Sequence, residues 1–538
     1  MRRSPCQLHE VAYHGLTQRS RHEADPTTDS ERTSPAERRP ALPFAAASLG
    51  LFALVVALCQ LGAGASLLLS LACACLVLHA ATFLPLGPDL CGDLPLWRAF
   101  RARRGAGPER APIALADFPP DRLWVVIDGW VHDLTGFRHP GGEVLDHFAG
   151  RDCTAWFLAV HPKHERALRA LEARAVGPLA DKDARALLSP VDRRWRALFD
   201  RALARGWFRF PARVLLRELT EALGLMVLGL WIMDQGAAVA GFLVLTFGSA
   251  RWGFHYHDAA HGAVHERAET ARRDARIGGI LLWGVDFYTG GAEEHFLHHG
   301  FPNVREVDHA IDMQPFLRWH PSQRALFPLS TGEAGPGRGA GWPQLLLWYG
   351  LIIWLVYPLY ALNGFLQARR RREHGIAALV LARHAAWPLL GPFLWPVLLS
   401  AFAGMAWFAV IASCQHFAMP VSEHVDNPLA RDDAGRLSFV RSQAPRILDA
   451  HSHPVSDWLL GHFTLHTAHH LYPVIPRRNL ARLQPEIEAM LEADGRPLHR
   501  TGFLASLRGF HRILRDPLRA DHFVESAAGA AQEAKRPA

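Results

Sequence analysis

Long apolar runs alternate with charged stretches along the chain and divide it into five parts. Residues 1–40 are rich in Arg, Glu, Ser, Thr and Pro with no apolar period, which predicts a disordered cytosolic segment. Residues 41–87 contain no Asp, Glu, Lys or Arg, enough for two spans of roughly 20 residues each, with Gly62 and Gly64 near the turn. A transmembrane helical hairpin over 41–88 follows. Arg98, Arg101, Arg103 and Arg104 after it, and the arginines before it, place both ends on the cytoplasmic side. A soluble part covers residues 112–178. It opens with LWVVIDGWVHDL, two short β-rich runs joined at Asp128-Gly129, the residues preferred in a type I′ hairpin turn. Residues 180–213 are charged, helical in pattern and read as a linker.

The fourth part, residues 206–500, is again apolar in stretches. Residues 215–233 and 236–253 form two apolar segments turning at Asp234-Gln235-Gly236, with Arg217, Glu218 and Glu221 expected at the membrane interface. Residues 277–288 are too short to span and are expected to be interfacial or re-entrant. Residues 345–366 make a full span, 376–390 a shorter one broken by Arg383 and His384, and 393–414 another. Arg369 to Arg372 argue for a cytoplasmic loop after the first of these. Crossing by all three would leave the chain on the far side, so an even number of crossings requires one of them to be interfacial. Residues 501–538 form a cytosolic tail. The fold class is therefore mainly α: a multi-span membrane helical domain, a small α+β domain and an extra N-terminal transmembrane hairpin.

Composition changes this picture in two ways. Arginine supplies nearly all the positive charge, since Lys163, Lys182 and Lys535 are the only lysines, a bias that points to a GC-rich bacterial genome and so to a bacterial inner membrane. The net charge of +7 suits the anionic inner face of a membrane, and no basic-aromatic module for nucleic acid is present. The seven cysteines are scattered, with no CxxC, and indicate neither a disulfide framework nor an iron–sulfur site.

The candidate chemistry lies in histidine. His257 and His261 stand in HDAAH, His295, His298 and His299 in HFLHH, and His466, His469 and His470 in HTAHH. Spacings of three and four put imidazoles on one helical face, so each motif aims two or three at one point. Eight such imidazoles beside apolar segments predict metal, and they exceed the needs of one ion. His255 and His265, off that spacing, are expected to be structural. Asn303 and Asp308 have two readings: acceptors for imidazole N–H groups, or a helix cap and a solvated acid.

In the soluble part, the hydrophobic hairpin, His139-Pro140-Gly141-Gly142 and a second histidine, His161, resemble the cytochrome b5 haem-binding domain throughout. The resemblance implies that His139 and His161 are the axial ligands of a haem b that passes electrons and has no open position for oxygen. Glu143, Asp146 and Asp152 are then candidates for an acidic edge that docks a reductase. An electron-delivering haem favours a redox metal at the other histidines over zinc. HDxxH, HxxHH and a third (H/Q)xxHH, in that order among apolar segments, resemble the membrane fatty acid desaturases from about Leu215 to Arg477. The haem module ahead of them is similar to the front-end acyl-lipid and sphingolipid desaturases.

That resemblance implies a non-haem di-iron centre on the eight histidines, as catalytic and metal-binding residues, with His416 as a ninth ligand. Gln415 stands before His416 where the family usually has Asn, and His466 stands where front-end enzymes usually carry Gln. The implied activity is O2-dependent desaturation of a long acyl chain, as acyl lipid or acyl-CoA, with electrons from an NAD(P)H-dependent reductase. Two other readings remain open on the sequence: an acyl-chain hydroxylase on the same scaffold, and a membrane-anchored haem electron carrier.

Overall fold

The computed structural model describes residues 65–84, 89–107, 109–140, 142–286, 295–309 and 342–515. The expected disordered segment, the first arm of the N-terminal hairpin and the end of the C-terminal tail lie outside the described residues. The second arm is a helix, α1 (Ala65–Ala81).

In the soluble part the β-rich runs form β1 (Trp124–Ile127) and β2 (Trp130–Asp133), antiparallel, with Ile127 opposite Trp130 across a two-residue turn. Asp128 and Gly129 take φ of 53° and 75°, the left-handed pair that a type I′ turn needs. Next come α2 (Thr154–Val160), α3 (Glu165–Ala173) and β3 (Ala175–Pro178), which pairs antiparallel with β2 to complete a three-stranded sheet. His161 caps α2 at its C-terminus.

The stretch expected to be a linker is instead structural. Helix α4 (Pro190–Ala204) starts at Ser189, whose side chain accepts from the Asp192 N–H at 3.0 Å, with Pro190 in the first turn. Its apolar face, Val191, Trp195, Leu198, Phe199 and Ala202, is buried. Trp195 stacks on Tyr472 at 5.2 Å and donates its indole N–H to the Leu471 carbonyl at 3.1 Å. The haem-module residues Val125, Phe148, Trp156 and Leu158 share one continuous core with α4, Phe301, Phe439 and Leu471. No solvated tether separates the two halves here.

The apolar segments fold as α5 (Ala212–Asp234) and α6 (Ala238–Ala260), each 23 residues and about 34 Å long at 1.5 Å per residue. They cross closely: a Cβ on Gly229 would lie 2.6 Å from the Leu245 backbone nitrogen. Helix α1 packs on α5, with the Arg217 guanidinium donating to the Thr82 carbonyl at 2.8 Å. Residues 277–283 are the end of α7 (Ala268–Trp283), which stops at Gly284 with φ 75°. Then come α8 (Ile353–Arg370), α9 (His374–Ala385) and α10 (Leu394–His416). Among the described residues, α10 alone is both long enough and apolar enough throughout to meet the usual criterion for a membrane span. The chain ends its described part with α11 (Phe439–Gln443), α12 (His466–Leu471), α13 (Leu480–Glu492) and α14 (Phe503–Arg515).

Asp192 fastens this assembly on the same face of α4: its carboxylate accepts from the Ser438 hydroxyl and from the Phe439 and Val440 N–H groups at 3.0 to 3.1 Å, capping α11. Because Trp195, fully buried, packs α4 onto Phe439 and Tyr472, Trp195→Ala is expected to cost about 3–5 kcal/mol. Thermal unfolding of the purified protein, followed by tryptophan fluorescence, should show a clearly lowered midpoint; a midpoint within error of the parent would contradict the packing role.

Candidate metal centre

Four helical segments end at one place. The C-terminal turns of α6 carry His257 and His261, a helix over residues 295–300 carries His295, His298 and His299, α10 ends on His416, and α12 carries His466, His469 and His470. All nine histidines expected from the sequence come together, in two adjacent sets. In the first, the Nε2 atoms of His257, His261 and His295 lie 2.9 to 3.3 Å apart. Donor atoms of His257, His261, His299 and His469 all lie within 4.8 Å of one another. In the second set the same limit holds for His298, His416 and His470, and His466 Nε2 is 2.7 Å from His416 Nε2. The sets touch where His299 and His470 stack at 4.1 Å.

The division follows helix geometry. Residues four apart share a face while neighbours point about 100° apart, so His295 and His299 face one set and His298 the other. Likewise His466 and His470 face the second set and His469 the first.

These imidazoles suit a metal and little else. Burial holds His295 down to about 3, and His299, His469 and His470 well below the ordinary histidine range, with repulsion from neighbouring imidazoles second. They are neutral at pH 7, as ligands must be. Both ring nitrogens of His299, and Nε2 of His469 and His470, are buried with no hydrogen-bond partner. Each such orphan costs about 1–3 kcal/mol unless something accepts its lone pair. A cation within each set would take up one nitrogen lone pair from each such ring, the other nitrogen of a neutral imidazole carrying the N–H.

Buried polar groups aim the rings. The carboxylate of Asp308, itself fully buried, stands 2.7 Å from His298 Nδ1 and also accepts the Asn303 N–H at 2.8 Å. The reading of Asp308 as a solvated acid is thereby excluded. Asn303 donates its side-chain amide to the His416 carbonyl at 2.8 Å. Gln443 Oε1 accepts from His470 Nδ1 at 3.2 Å, and the Gln443 side-chain N–H donates to the Gly300 carbonyl at 2.9 Å. Arg477 pairs with Asp258 and Glu218, each at 2.7 Å, tying the exit of α12 to α6 and α5. Glu218, expected at an interface, is buried in this network and also meets His255 at 2.6 Å. His265 binds Asp274 at 2.8 Å, so His255 and His265 are held by carboxylates rather than joining either set.

Gln443 and the Arg477 pairings carry no signal in the sequence pattern, because the partners stand 27 to more than 200 positions apart. Asp258 alone had a local hint, lying inside HDAAH. On the side of α6 and α10, Phe408 and Phe463 pack against His257 at 5.6 and 4.9 Å, and Phe254 lies behind them.

In the haem module, the rings of His139 and His161 are 6.0 Å apart between centres. Two imidazoles bound to one ion from opposite sides, each nitrogen ~2.0–2.1 Å from the metal, stand about 6 Å apart, so the pair fits an axial set. Burial, then His139 and Arg272 nearby, pushes His161 down to about 3 and keeps it neutral. Asp146 is exposed, but Asp152 is buried and accepts the Thr154 N–H at 2.8 Å, which removes it from any docking edge.

Comparison with known proteins agrees with this geometry. Residues 235–502 match the family model described as fatty acid desaturase, and residues 115–180 match that of the cytochrome b5-like heme/steroid binding domain. The chain is 24% identical over 397 residues to a fatty acid desaturase 2-like protein, FADS2B, of Mus musculus, covering 69% of this chain and 77% of that one. It is 24% identical over 401 residues to an acyl-lipid (9-3)-desaturase of Physcomitrium patens, covering 70% and 72%. With a Delta(8)-fatty-acid desaturase of Euglena gracilis it shares 23% identity over 399 residues, covering 68% and 88%. The family implies a pair of non-haem irons and the smaller domain a haem, and both donor sets are present. The chain belongs to the fatty acid desaturase family and carries its own cytochrome b5-like domain.

Proposed function

We infer that the protein is a multi-pass membrane enzyme that uses O2 to place a double bond in a long acyl chain held in a lipid. The observation that carries this reading is the pair of adjacent histidine sets, with buried ring nitrogens that lack a partner, next to an apolar wall. The nine histidines are the ligands of the iron pair, His139 and His161 those of the haem, and the domains run over residues 112–178 and 206–500. The reaction consumes R–CH2–CH2–R, O2, two electrons and two protons and yields R–CH=CH–R and two waters. When bound, the irons supply the O2 reduction that no side chain performs.

The chain's own residues do the rest. Asp308 and Gln443 fix the rings of His298 and His470. Phe254, Phe408 and Phe463 offer an acyl chain a water-free surface beside His257. Arg477 with Asp258 and Glu218 braces the polar side. The acyl-lipid substrate is favoured by the printed activities of two relatives, acyl-lipid (9-3)- and (8-3)-desaturases.

The topology follows from the same site. Helix α9 has 12 residues, about 18 Å against a hydrocarbon core of about 30 Å. Arg276 of α7 pairs with Glu373 at the start of α9 at 2.5 Å, and the buried Arg383 guanidinium of α9 donates to the Leu281 carbonyl of α7, so α9 starts on the side of α7 and of the histidines, where the Arg369–Arg372 loop also lies. Helices α5, α6 and α10 then cross together with the hairpin over 41–88, α9 and the turn after it (Trp387–Phe393) make the return crossing, α8 lies at the interface, and every ligand histidine lies on the cytoplasmic side. Exposed Leu76, Val77, Val239, Leu243, Leu359, Leu362 and Trp395 give these helices the outer surface that lipid requires. An NAD(P)H-dependent reductase supplies the electrons. The arginine bias supports a bacterial inner membrane, whereas the relatives named above are eukaryotic.

Expression in a host of known lipid composition, followed by chromatography and mass spectrometry, should reveal new unsaturated acyl chains. New hydroxy acids without new double bonds would replace this reading with a hydroxylase, and a haem spectrum with no lipid change would leave an electron carrier. Replacing the carboxylate that aims His298, as Asp308→Ala, is expected to weaken iron binding about 10–100-fold. Iron titration of the apoprotein, with helix content by circular dichroism as control, reads this; unchanged affinity would remove Asp308 from the centre.

A further inference from the structure

The haem module meets the histidine sets through a short, continuous row of side chains. His161 lies 5.4 Å from His164, ring centre to ring centre. The Arg272 guanidinium, on α7, donates to His164 Nδ1 at 3.2 Å and lies over the Phe296 ring at 4.4 Å. Phe296 meets His261 edge to face at 5.7 Å. Arginine only donates, so the His164 tautomer that accepts at Nδ1 is fixed, and the row has one arrangement.

A second link runs beside the first. Lys163, 1% exposed and two residues after His161, inserts its ammonium between the carbonyls of Gly262 and Ala263 at 3.0 and 3.2 Å, directly after His261. Its own carbonyl accepts the Ala268 N–H at 2.9 Å. A third contact, from the Trp156 indole N–H to the Gly300 carbonyl at 3.1 Å, lands one residue after His299. His261 and His299 both belong to the first set. None of these three contacts lands on a histidine specific to the second set or on its neighbour within α10 or α12.

We propose that His164, Arg272 and Phe296 form the relay by which each electron passes from the haem ligand His161 to the metal ligand His261, so that the five-histidine set receives it first. The relay rests on the ligand assignments made under the proposed function. Lys163 and Trp156 are positioning residues that keep the row closed. One ferrous haem becomes ferric for each electron passed, and an external pyridine-nucleotide-dependent reductase restores it, twice per double bond formed. Tunnelling falls steeply with each through-space gap, so shortening the Phe296 ring to an aliphatic chain opens the last gap without removing a ligand.

The test uses the full-length holoprotein with its haem reduced by dithionite, mixed with O2 in a stopped-flow spectrophotometer, with and without prior removal of non-haem iron by chelation. Haem oxidation in the parent should be faster with non-haem iron present. Phe296→Leu and His164→Gln should each slow that iron-dependent phase about tenfold or more, while Phe296→Tyr stays near the parent. Haem spectrum, haem reduction potential and iron per chain, measured in each variant, should stay unchanged, which a merely structural role would not produce. Iron-dependent oxidation as fast in both variants as in the parent, at equal iron content, would overturn the relay alone. A parent whose haem oxidises no faster with iron than without would overturn the proposed function and the relay with it.

Discussion

The structure depends on one constraint: neutral imidazoles, buried beyond the reach of water, must find something that accepts their lone pairs. Imidazoles from four helices converge with Nε2 atoms as close as 2.7 Å, a distance at which lone pairs repel unless a proton or a cation lies between. Both ring nitrogens of His299 and Nε2 of His469 and His470 have no hydrogen-bond partner, and a cation would take up the lone pairs among them. The buried pairs of Arg477 with Asp258 and Glu218 follow from this, because a polar centre on the ends of apolar helices needs its charges matched locally.

The same constraint governs the haem module. A free tether would let it approach the iron site in many orientations, each needing a fresh encounter. Here Lys163 buries its charge among backbone carbonyls of the other domain, and Trp156, Phe148, Phe301 and Phe439 form one aromatic seam. Burying a lysine is costly unless its donors are met, so the docked arrangement is specific as well as stable. Two one-electron deliveries per turnover suit a donor that stays in place.

Much of this was legible in the sequence, and the rest was hidden for a physical reason. Spacing within HDAAH, HFLHH and HTAHH reports which residues share a helical face, so the candidate ligands could be read locally. The same rule contains the division into two sets, since His298 and His299 must point apart, but only the meeting of helices shows which faces combine. Asp128-Gly129 marked its hairpin turn because that turn demands left-handed residues. Residues 180–213 misled because charge on one face of α4 masked the face carrying Trp195 and Phe199, which is apolar only toward a partner far along the chain. Gln443, Glu218 and Arg477 were invisible for the same reason: a polar residue is given its role by a partner that no local pattern names.

The central claim is that the two histidine sets hold a pair of irons beside, and separate from, one haem. Total iron by elemental analysis of the purified protein, set against haem by its pyridine complex, tests it most directly. Three irons per chain, one of them in haem, is the predicted result. One iron per chain, all of it haem, or zinc in place of the other two, would contradict the account.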